Sequence, residues 1–155
     1  MDIEMTVSPL RRGVGAGAVL LSGALLLGTA LWDAPQSLLA QGLILLLGAA
    51  LIWSGVRLWR DTEVSVRLVE DRLEESTGEL IVTLDQVEEV VRGHLAFRPS
   101  NGFSLKLREE AEPRWRMGLW WRAGKRAAFG GAASSVQTRQ LADALEKRLG
   151  QERQD

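Results

Sequence analysis

The sequence contains no cysteine and no tyrosine, and its single histidine is His94. The lack of cysteine excludes disulfides and thiolate metal sites, and it is consistent with a reducing compartment. No serine lies in a nucleophile-elbow context, and a lone histidine beside a predicted hairpin is most simply a surface or strand residue. Metal-ligand spacing is also absent. We therefore predict no catalytic residue, no metal and no cofactor.

The acidic residues include three adjacent pairs, Glu74-Glu75, Glu88-Glu89 and Glu109-Glu110. Neighbouring side chains in a strand point to opposite faces of the sheet, so such a pair does not form a shared acid–base dyad. We interpret all three pairs as solvated surface. An enzymatic role consequently ranks third among the functional hypotheses.

Charge is almost absent between Arg12 and Arg57, where 44 residues contain only Asp33. Two hydrophobic segments, 13–32 and 38–59, lie on either side of a short turn-like link. Each is long enough to cross a hydrocarbon core of about 30 Å as a helix. Backbone groups in lipid have no water to bond, so spanning segments close their own hydrogen bonds. The pattern predicts a transmembrane α-helical hairpin.

Lysine and arginine flank the two segments and are missing from the link between them. The positive-inside rule therefore predicts a two-span protein of the cell inner (cytoplasmic) membrane, with both termini in the cytoplasm. Basic and tryptophan side chains are expected at the two interfaces; the candidates are Arg11, Arg12, Trp32, Trp53, Arg57, Trp59 and Arg60. A cleaved signal peptide is the alternative for the first segment. The long apolar run and the closely following second segment favour a membrane span.

Small residues in the two segments offer faces on which helices can pack closely. Gly13 and Gly17 form a GxxxG spacing, and Ala50 and Ser54 repeat a similar spacing in the second segment. An alternative is that glycine and alanine are simply common in membrane spans. Gln41, near the outer end, is expected to be wetted or bonded to the other helix.

The pattern of apolar and polar residues over 61–155 predicts a compact, mainly-β domain. Apolar and polar residues alternate around Val64–Leu68, and a second strand is expected at Glu79–Leu84. Asp85–Val91 fits a short helical turn or a further strand. Two hairpins are then predicted: one joins His94–Arg98 to Phe103–Arg108 around Asn101-Gly102, and one joins Arg114–Trp121 to Lys125–Phe129 around Ala123-Gly124.

One amphipathic helix is predicted at the end of the chain, over about 135–149. Ser134 and Gln137 have the spacing of a capping box, and Leu141, Leu145 and Leu149 recur at intervals of four residues. Gly150 lies where the helix is expected to end. Six or seven strands and one helix indicate a small sandwich or barrel whose open end the helix closes.

The layout resembles the pleckstrin-homology-like (PH-like) domains of small bacterial membrane proteins. The resemblance rests on the count and spacing of the strands, on the segment Leu84–Val90 and on the closing helix. More specifically, Phe97–Phe103 and Gly118–Arg122 are similar to motifs of such proteins that have a two-helix anchor. It implies a tail and anchor at 1–60 and a PH-like cytoplasmic domain at 61–155. Lipid-binding PH domains carry basic residues between their first two strands, where this chain has Val69-Glu70-Asp71-Arg72.

The strongest functional candidate is the segment Arg114–Arg126, which holds five basic residues and three tryptophans and no acidic residue. Arginine and lysine attract anionic headgroups and tryptophan favours the membrane interface. We therefore predict a lipid- or partner-binding surface, and its residues are Arg114, Arg116, Trp120, Trp121, Arg122, Lys125 and Arg126.

Two alternatives stay open for this segment and for the domain. One or two of the tryptophans can be core residues with the arginines merely flanking them, because tryptophan is usually largely buried. The domain can also be a protein-interaction scaffold or assembly subunit with a protein partner or a second copy of itself. Nucleic acid is not expected as a partner, because the chain as a whole carries a net charge of −1.

Overall fold

The structure is a computed structural model, and it describes residues 3–32, 37–92 and 102–152. Two helices, α1 (Pro9–Trp32) and α2 (Leu38–Asp61), each contain 24 residues. At 1.5 Å per residue each is about 36 Å long, which exceeds the hydrocarbon thickness. Only 17% and 11% of their most apolar windows are buried, whereas the core helix of a soluble protein is mostly buried. By length and composition, both helices can span a membrane.

The two helices approach each other through small residues spaced seven apart. The buried residues of α1 are Ala16, Gly23 and Ala30. A Cβ added to Gly23 would lie 3.0 Å from the Gly48 carbonyl oxygen, and one added to Gly48 would lie 2.8 Å from Leu27. By contrast, no atom comes within 4 Å of a Cβ built on Gly13 or Gly17. The close approach therefore uses the faces of Gly23 and Gly48 and not the predicted GxxxG spacing.

Side chains also join the two helices at both ends of the hairpin. Gln41 Nε2 donates a hydrogen bond of 3.1 Å to the Ala30 carbonyl, which confirms the interhelical bond that was one of its two expected roles. At the other end the Arg12 guanidinium lies 4.4 Å from the Trp59 ring centroid. Contacts of this kind are cation–π interactions. The remaining predicted interface residues, Arg11, Trp32, Trp53, Arg57 and Arg60, are exposed or half-buried.

In the described residues, seven strands form two antiparallel sheets. The first sheet has the order β1-β2-β3-β4, with β1 at Ile3–Met5, β2 at Val66–Val69, β3 at Arg72–Glu75 and β4 at Leu80–Thr83. The second has the order β5-β6-β7, with β5 at Val87–Val91, β6 at Phe103–Arg116 and β7 at Trp120–Phe129. A 3₁₀ turn at Leu84–Gln86 precedes β5. Both expectations for Asp85–Val91, a helical turn and a strand, are therefore met in succession.

The strand β1 precedes α1 and α2, and from the sequence we assigned its residues to the N-terminal tail. Ile3 pairs with Leu68 and Met5 with Val66, and Met5 is fully buried. The backbone N–H of Thr6 donates to Gln137 Oε1 at 3.2 Å. The compact units are accordingly Pro9–Arg60 and a β-domain made of the residues on both sides of it, in place of the predicted division at residue 60.

The turn between β6 and β7 also differs from prediction. It lies at Met117–Leu119, where Gly118 has a φ of 76°. The predicted turn glycine, Gly124 (φ 54°), is instead inside β7 opposite Ala111, where the strand register shifts. A bulge and a turn both favour glycine, because each needs a backbone conformation that other residues adopt at a cost. The predicted strand at 94–98 lies outside the described residues.

The helix α3 (Ser135–Glu152) packs against β1, β5 and β6. Its leucines Leu141, Leu145 and Leu149 are buried in the domain core, as predicted. The helix continues two residues beyond Gly150, the predicted stop. Phe103 and Phe129 stack beside it with ring centroids 5.2 Å apart. One corner between the two sheets is thus covered by a helix.

Candidate interaction surface on the β6–β7 hairpin

Strand pairing divides the predicted tryptophan–arginine segment between two faces. The register places Arg114 opposite Arg122, Trp115 opposite Trp121, and Arg116 opposite Trp120. Because successive side chains in a strand alternate between faces, Arg114, Arg116, Trp120 and Arg122 share one face. We call this the inner face, and we call the face of Trp115 and Trp121 the outer face. The segment is therefore not one continuous surface.

The inner face is built around Glu75, the last residue of β3, which is fully buried. The Arg116 guanidinium binds it with two hydrogen bonds, Nε to Oε1 at 2.8 Å and Nη2 to Oε2 at 2.9 Å. Trp120 Nε1 donates to Oε1 at 2.9 Å, and Thr77 Oγ1 donates to Oε2 at 3.1 Å. Bidentate arginine–carboxylate pairs are among the strongest polar contacts in proteins. Glu75 is thus a buried structural group and not the solvated one that we predicted.

The same arginine lies beside Asp61, the last residue of α2. Arg116 Nη1 is 3.6 Å from Asp61 Oδ1, and the backbone N–H of Met117 donates to Asp61 Oδ2 at 2.9 Å. The hydrogen bonds that Arg116 donates to Glu75, and then the charges of Glu75 and Asp61, raise the pKa of Arg116, while partial burial opposes them. The β6–β7 turn is consequently held at the residue where the chain leaves the second helix.

Two further arginines of the inner face also have partners within the domain. Arg114 pairs with Glu79. Arg122 donates to the Glu112 carbonyl at 3.1 Å and to the Ile81 carbonyl on β4. Partial burial and then the nearby charge of Arg114 lower the pKa of Arg122. The corner between β7 and the β3–β4 hairpin is therefore closed by arginine side chains.

Trp120 is 2% exposed, so the prediction that it belongs to a lipid- or partner-binding surface is corrected: it is a core residue whose indole N–H is bound to Glu75. The exposed members of the segment are elsewhere. Trp115, which we had not selected, is 61% exposed. Trp121 opposite it is half-buried, and Lys125 and Arg126 are exposed.

Sequence reasoning missed two basic residues that lie near Lys125 and Arg126. Lys106 is the register partner of Arg126, and Arg108 follows it on the same face because Leu105 and Leu107 point into the core. Lys106 Nζ lies 2.8 Å from Glu88 Oε1. This hydrogen bond, together with the charges of Lys106, Arg108 and Lys125, lowers the pKa of Glu88. We name Lys106, Arg108, Lys125 and Arg126 the basic patch.

We expect the pKa of Glu88 to rise toward its ordinary value when lysine or arginine is removed from the patch. Lys106→Gln should have the largest effect, since its hydrogen bond is the main cause of the lowering, and Lys125→Gln a smaller one. A carboxylate whose pKa is lower in the folded than in the unfolded state stabilises the fold at pH values above its unfolded-state pKa. This stabilisation is lost as the pH falls through the folded-state pKa. Carboxyl NMR titration measures both shifts. If Lys106→Gln leaves the pKa of Glu88 unchanged, the pairing of Lys106 with Glu88 is contradicted.

The described residues contain a cavity but no cluster of metal-ligating side chains. Within these residues, no group of three or more His, Asp or Glu side chains could hold a metal ion. A cavity of about 320 Å³ lies beside α3, lined by residues that include Arg92, Ser135 and Arg139. Arg92 is bound there to Asp143 and Glu146 at 2.6 and 2.7 Å. His94 lies outside the described ranges.

No protein-family model, curated protein or solved structure matches the chain. Of the two motifs that suggested the resemblance, Gly118–Arg122 forms part of the β6–β7 turn and the start of β7. The other, Phe97–Phe103, is described only from Gly102 onward.

Proposed function

We propose that the chain is a non-enzymatic membrane protein in which the α1–α2 hairpin is the anchor and a PH-like domain lies at the inner leaflet. The β6–β7 hairpin contacts lipid headgroups there, with a preference for anionic ones. Trp115 and Trp121 supply the aromatic contact, and Lys125 and Arg126 supply positive charge. Arg116 and Trp120, which we first assigned to this contact, hold the domain together through Glu75.

The location of β1 supports a topology with both chain ends in the cytoplasm. Residues directly before α1 and directly after α2 pair in one sheet, so the two helices leave and re-enter the same domain. Arg11, Arg12, Arg57 and Arg60 all lie at this end of the hairpin. By the positive-inside rule, such a cluster belongs on the cytoplasmic side.

The hydrogen bond from Met117 to Asp61 carries the proposal. It holds the β6–β7 turn at the residue immediately after Arg60, where the second helix ends. Trp115 is two residues from Met117 and is the most exposed aromatic side chain of the domain's described residues. Tryptophan is favoured at the boundary between lipid and water. An exposed tryptophan two residues from a turn bound to Asp61 is therefore suited to contact headgroups.

The seven strands of the described residues, in sheets of four and three, and the helix that covers one corner support the PH-like assignment. The segment Val69–Arg72, which we took for the loop between the first two strands, joins β2 to β3. The connection between β1 and β2 is the membrane hairpin itself. In this chain the anchor therefore occupies the connection between the first two strands, which is the position of the basic loop in PH domains that bind phosphoinositides.

The proposal predicts that a probe at position 115 lies in the headgroup region. Because the protein has no cysteine, Trp115→Cys provides a unique site for a nitroxide label in the full-length protein in liposomes. We expect low accessibility to a water-soluble relaxation agent at this site. A matched label at Asp71→Cys, on the turn after the far end of β2, should be freely accessible. Equal, water-like accessibility at both sites would contradict the lipid contact.

A protein-interaction scaffold is the second candidate, and one observation favours it. Glu109, Glu110 and Glu112 are exposed on β6, close in sequence to Trp115. Acidic side chains are repelled by an anionic bilayer, whereas a basic protein surface attracts them. Crosslinking of the full-length protein in its native membrane tests this candidate: a defined crosslinked partner or oligomer through position 112 supports it, and an absence of crosslinks counts against it.

A further inference from the structure

The unit Pro9–Arg60, which contains the membrane hairpin, is positively charged. It contains four arginines, no lysine and one acidic residue, which lies in the link between the helices, so its net charge is +3. The arginines are Arg11 and Arg12 at the start of α1 and Arg57 and Arg60 near the end of α2. In the proposed topology this end of the hairpin meets the cytoplasmic leaflet, where anionic lipids supply the opposite charge.

Arg57 and Arg60 share a face of α2 with Trp53, because helical residues spaced four and three apart lie one above the other. Gly55 marks the opposite face: it is buried, and a Cβ built on it would lie 2.7 Å from Leu20 of α1. Two residues along a helix correspond to a rotation of about 200°, so Trp53 and Arg57 point away from α1. Trp53 is 57% exposed. We call Trp53, Arg57 and Arg60 the α2 stripe, and in a bilayer the stripe faces lipid.

The Arg57 side chain leans toward the apolar part of α2. Its guanidinium lies 5.5 Å from the ring centroid of Trp53, which is one helical turn closer to the middle of the helix. This direction is the usual one, because helical side chains lean toward the N-terminus of their helix. For α2 that direction leads into the bilayer and away from the cytoplasm. A cation near the hydrocarbon boundary draws lipid headgroups and water toward itself.

The α2 stripe combines the two contacts that suit a phosphate beside an aromatic ring. A cation–π contact uses the face of a guanidinium, whereas its N–H donors lie in its plane and match the oxygens of a phosphate. Arg60 adds a second cation one turn nearer the cytoplasm. The first acidic residue of α2 is Asp61, its last residue, which accepts a hydrogen bond from the Met117 N–H. The lipid-facing part of the stripe therefore has basic and aromatic side chains only.

We propose that the α2 stripe binds one anionic phospholipid of the cytoplasmic leaflet, with Arg57 and Arg60 on its phosphate and Trp53 beside its glycerol and acyl chains. The inference rests on the membrane anchor of the proposed function and adds a lipid site to it, separate from the contact of the β6–β7 hairpin. A zwitterionic lipid is bound less tightly, because its own cation offsets the phosphate. Each arginine strengthens binding to an anionic headgroup by about fivefold.

Native mass spectrometry of the full-length protein in detergent tests this site. Titration with phosphatidylglycerol or with phosphatidylcholine measures the affinity for the first bound lipid. We expect phosphatidylglycerol to bind roughly 25-fold more tightly, since two arginines act on it, and Arg57→Gln/Arg60→Gln should remove the preference. Because the stripe points away from α1, this variant keeps the packing of the hairpin, and thermal unfolding in the same detergent verifies that it is folded.

A matched control removes the two arginines of α1. Arg11→Gln/Arg12→Gln lowers the charge of the same end of the hairpin by the same amount, and it should keep most of the preference. A preference that falls equally in both variants would show attraction to overall charge and would overturn the inference. A wild-type protein that binds both lipids alike would also overturn it. A nitroxide at Trp115→Cys that stays in water in every bilayer would instead refute the headgroup contact of the β6–β7 hairpin and leave the α2 site standing.

Discussion

Replacing Arg116 with leucine should destabilise the β-domain by about 3–5 kcal/mol, because the change leaves a buried carboxylate without its cation. Glu75 is fully buried and takes two of its hydrogen bonds from this guanidinium. Asp61 also loses a neighbouring positive charge at 3.6 Å. The remaining donors, Trp120 Nε1 and Thr77 Oγ1, are neutral. In a domain of this size, the loss should lower the melting temperature by roughly 12 °C or more.

A second substitution separates the loss of the charge from the loss of packing. Glu75→Gln removes the buried charge but keeps an oxygen that can accept from Trp120. The double variant Glu75→Gln/Arg116→Leu should therefore be much more stable than Arg116→Leu alone. Such a recovery is expected when the main penalty is an unpaired buried ion. Thermal unfolding of the full-length protein in detergent, followed by tryptophan fluorescence, measures both variants.

Arg114 provides the matched control on the same face. Its pairing with Glu79 joins two side chains that are 49% and 34% exposed. Exposed ion pairs contribute about 0–1 kcal/mol, so Arg114→Leu should change the melting temperature little. A loss in Arg116→Leu no larger than that in Arg114→Leu would show that Glu75 does not depend on its arginine. The buried network would then be absent.

The contrast between these arginines shows what the sequence determines locally. The alternation of Arg114, Trp115 and Arg116 predicts that the tryptophan and the arginines face opposite sides. It does not predict which side is buried, because that depends on Glu75, which is distant in sequence. Glu75 itself follows another glutamate, and nothing in the local pattern distinguishes the buried member of the pair. Selecting the whole segment as one surface therefore missed the division between the two faces.

The two apolar helices were predictable because a single physical requirement acts on every residue in them. An unbroken apolar run of sufficient length fits a bilayer whatever follows in the chain, and the predicted 38–59 segment agrees closely with Leu38–Asp61. The β6–β7 turn was less predictable. Gly118 and Gly124 both adopt positive φ, and only the pairing of β6 with β7 determines which one turns the chain.

The least predictable element was β1, three residues long and separated from its partner by both helices. The only local indication is that Ile3 and Met5 flank Glu4. Met5 is nevertheless fully buried in the domain core, and Thr6 bonds to Gln137 on α3. The membrane anchor is thus inserted into the β-domain between its first and second strands. This topology leads to the last prediction.

A fragment of residues 61–155 should be markedly less stable than a domain that also contains β1. Without residues 3–8, the edge of β2 loses its partner strand and the core loses Met5. Removal of a buried methionine side chain alone costs about 2–5 kcal/mol, a large part of the 5–15 kcal/mol available to a typical domain. An open strand edge also favours aggregation. We expect the fragment to unfold at low denaturant concentration or to aggregate.

Joining residues 3–8 to residue 61 through a flexible glycine–serine linker should restore a soluble, cooperatively folded domain without the membrane helices. Met5→Asp in the joined protein is the matched control: it keeps the chain length but places a charge at a fully buried site, and it should abolish the gain. Denaturant unfolding compares the three proteins. A fragment of residues 61–155 as stable as the joined protein would show that β1 contributes nothing to the domain. If the joined protein is the more stable, the anchor interrupts the domain, and both ends of the α1–α2 hairpin must then lie on the side of the membrane where the domain folds.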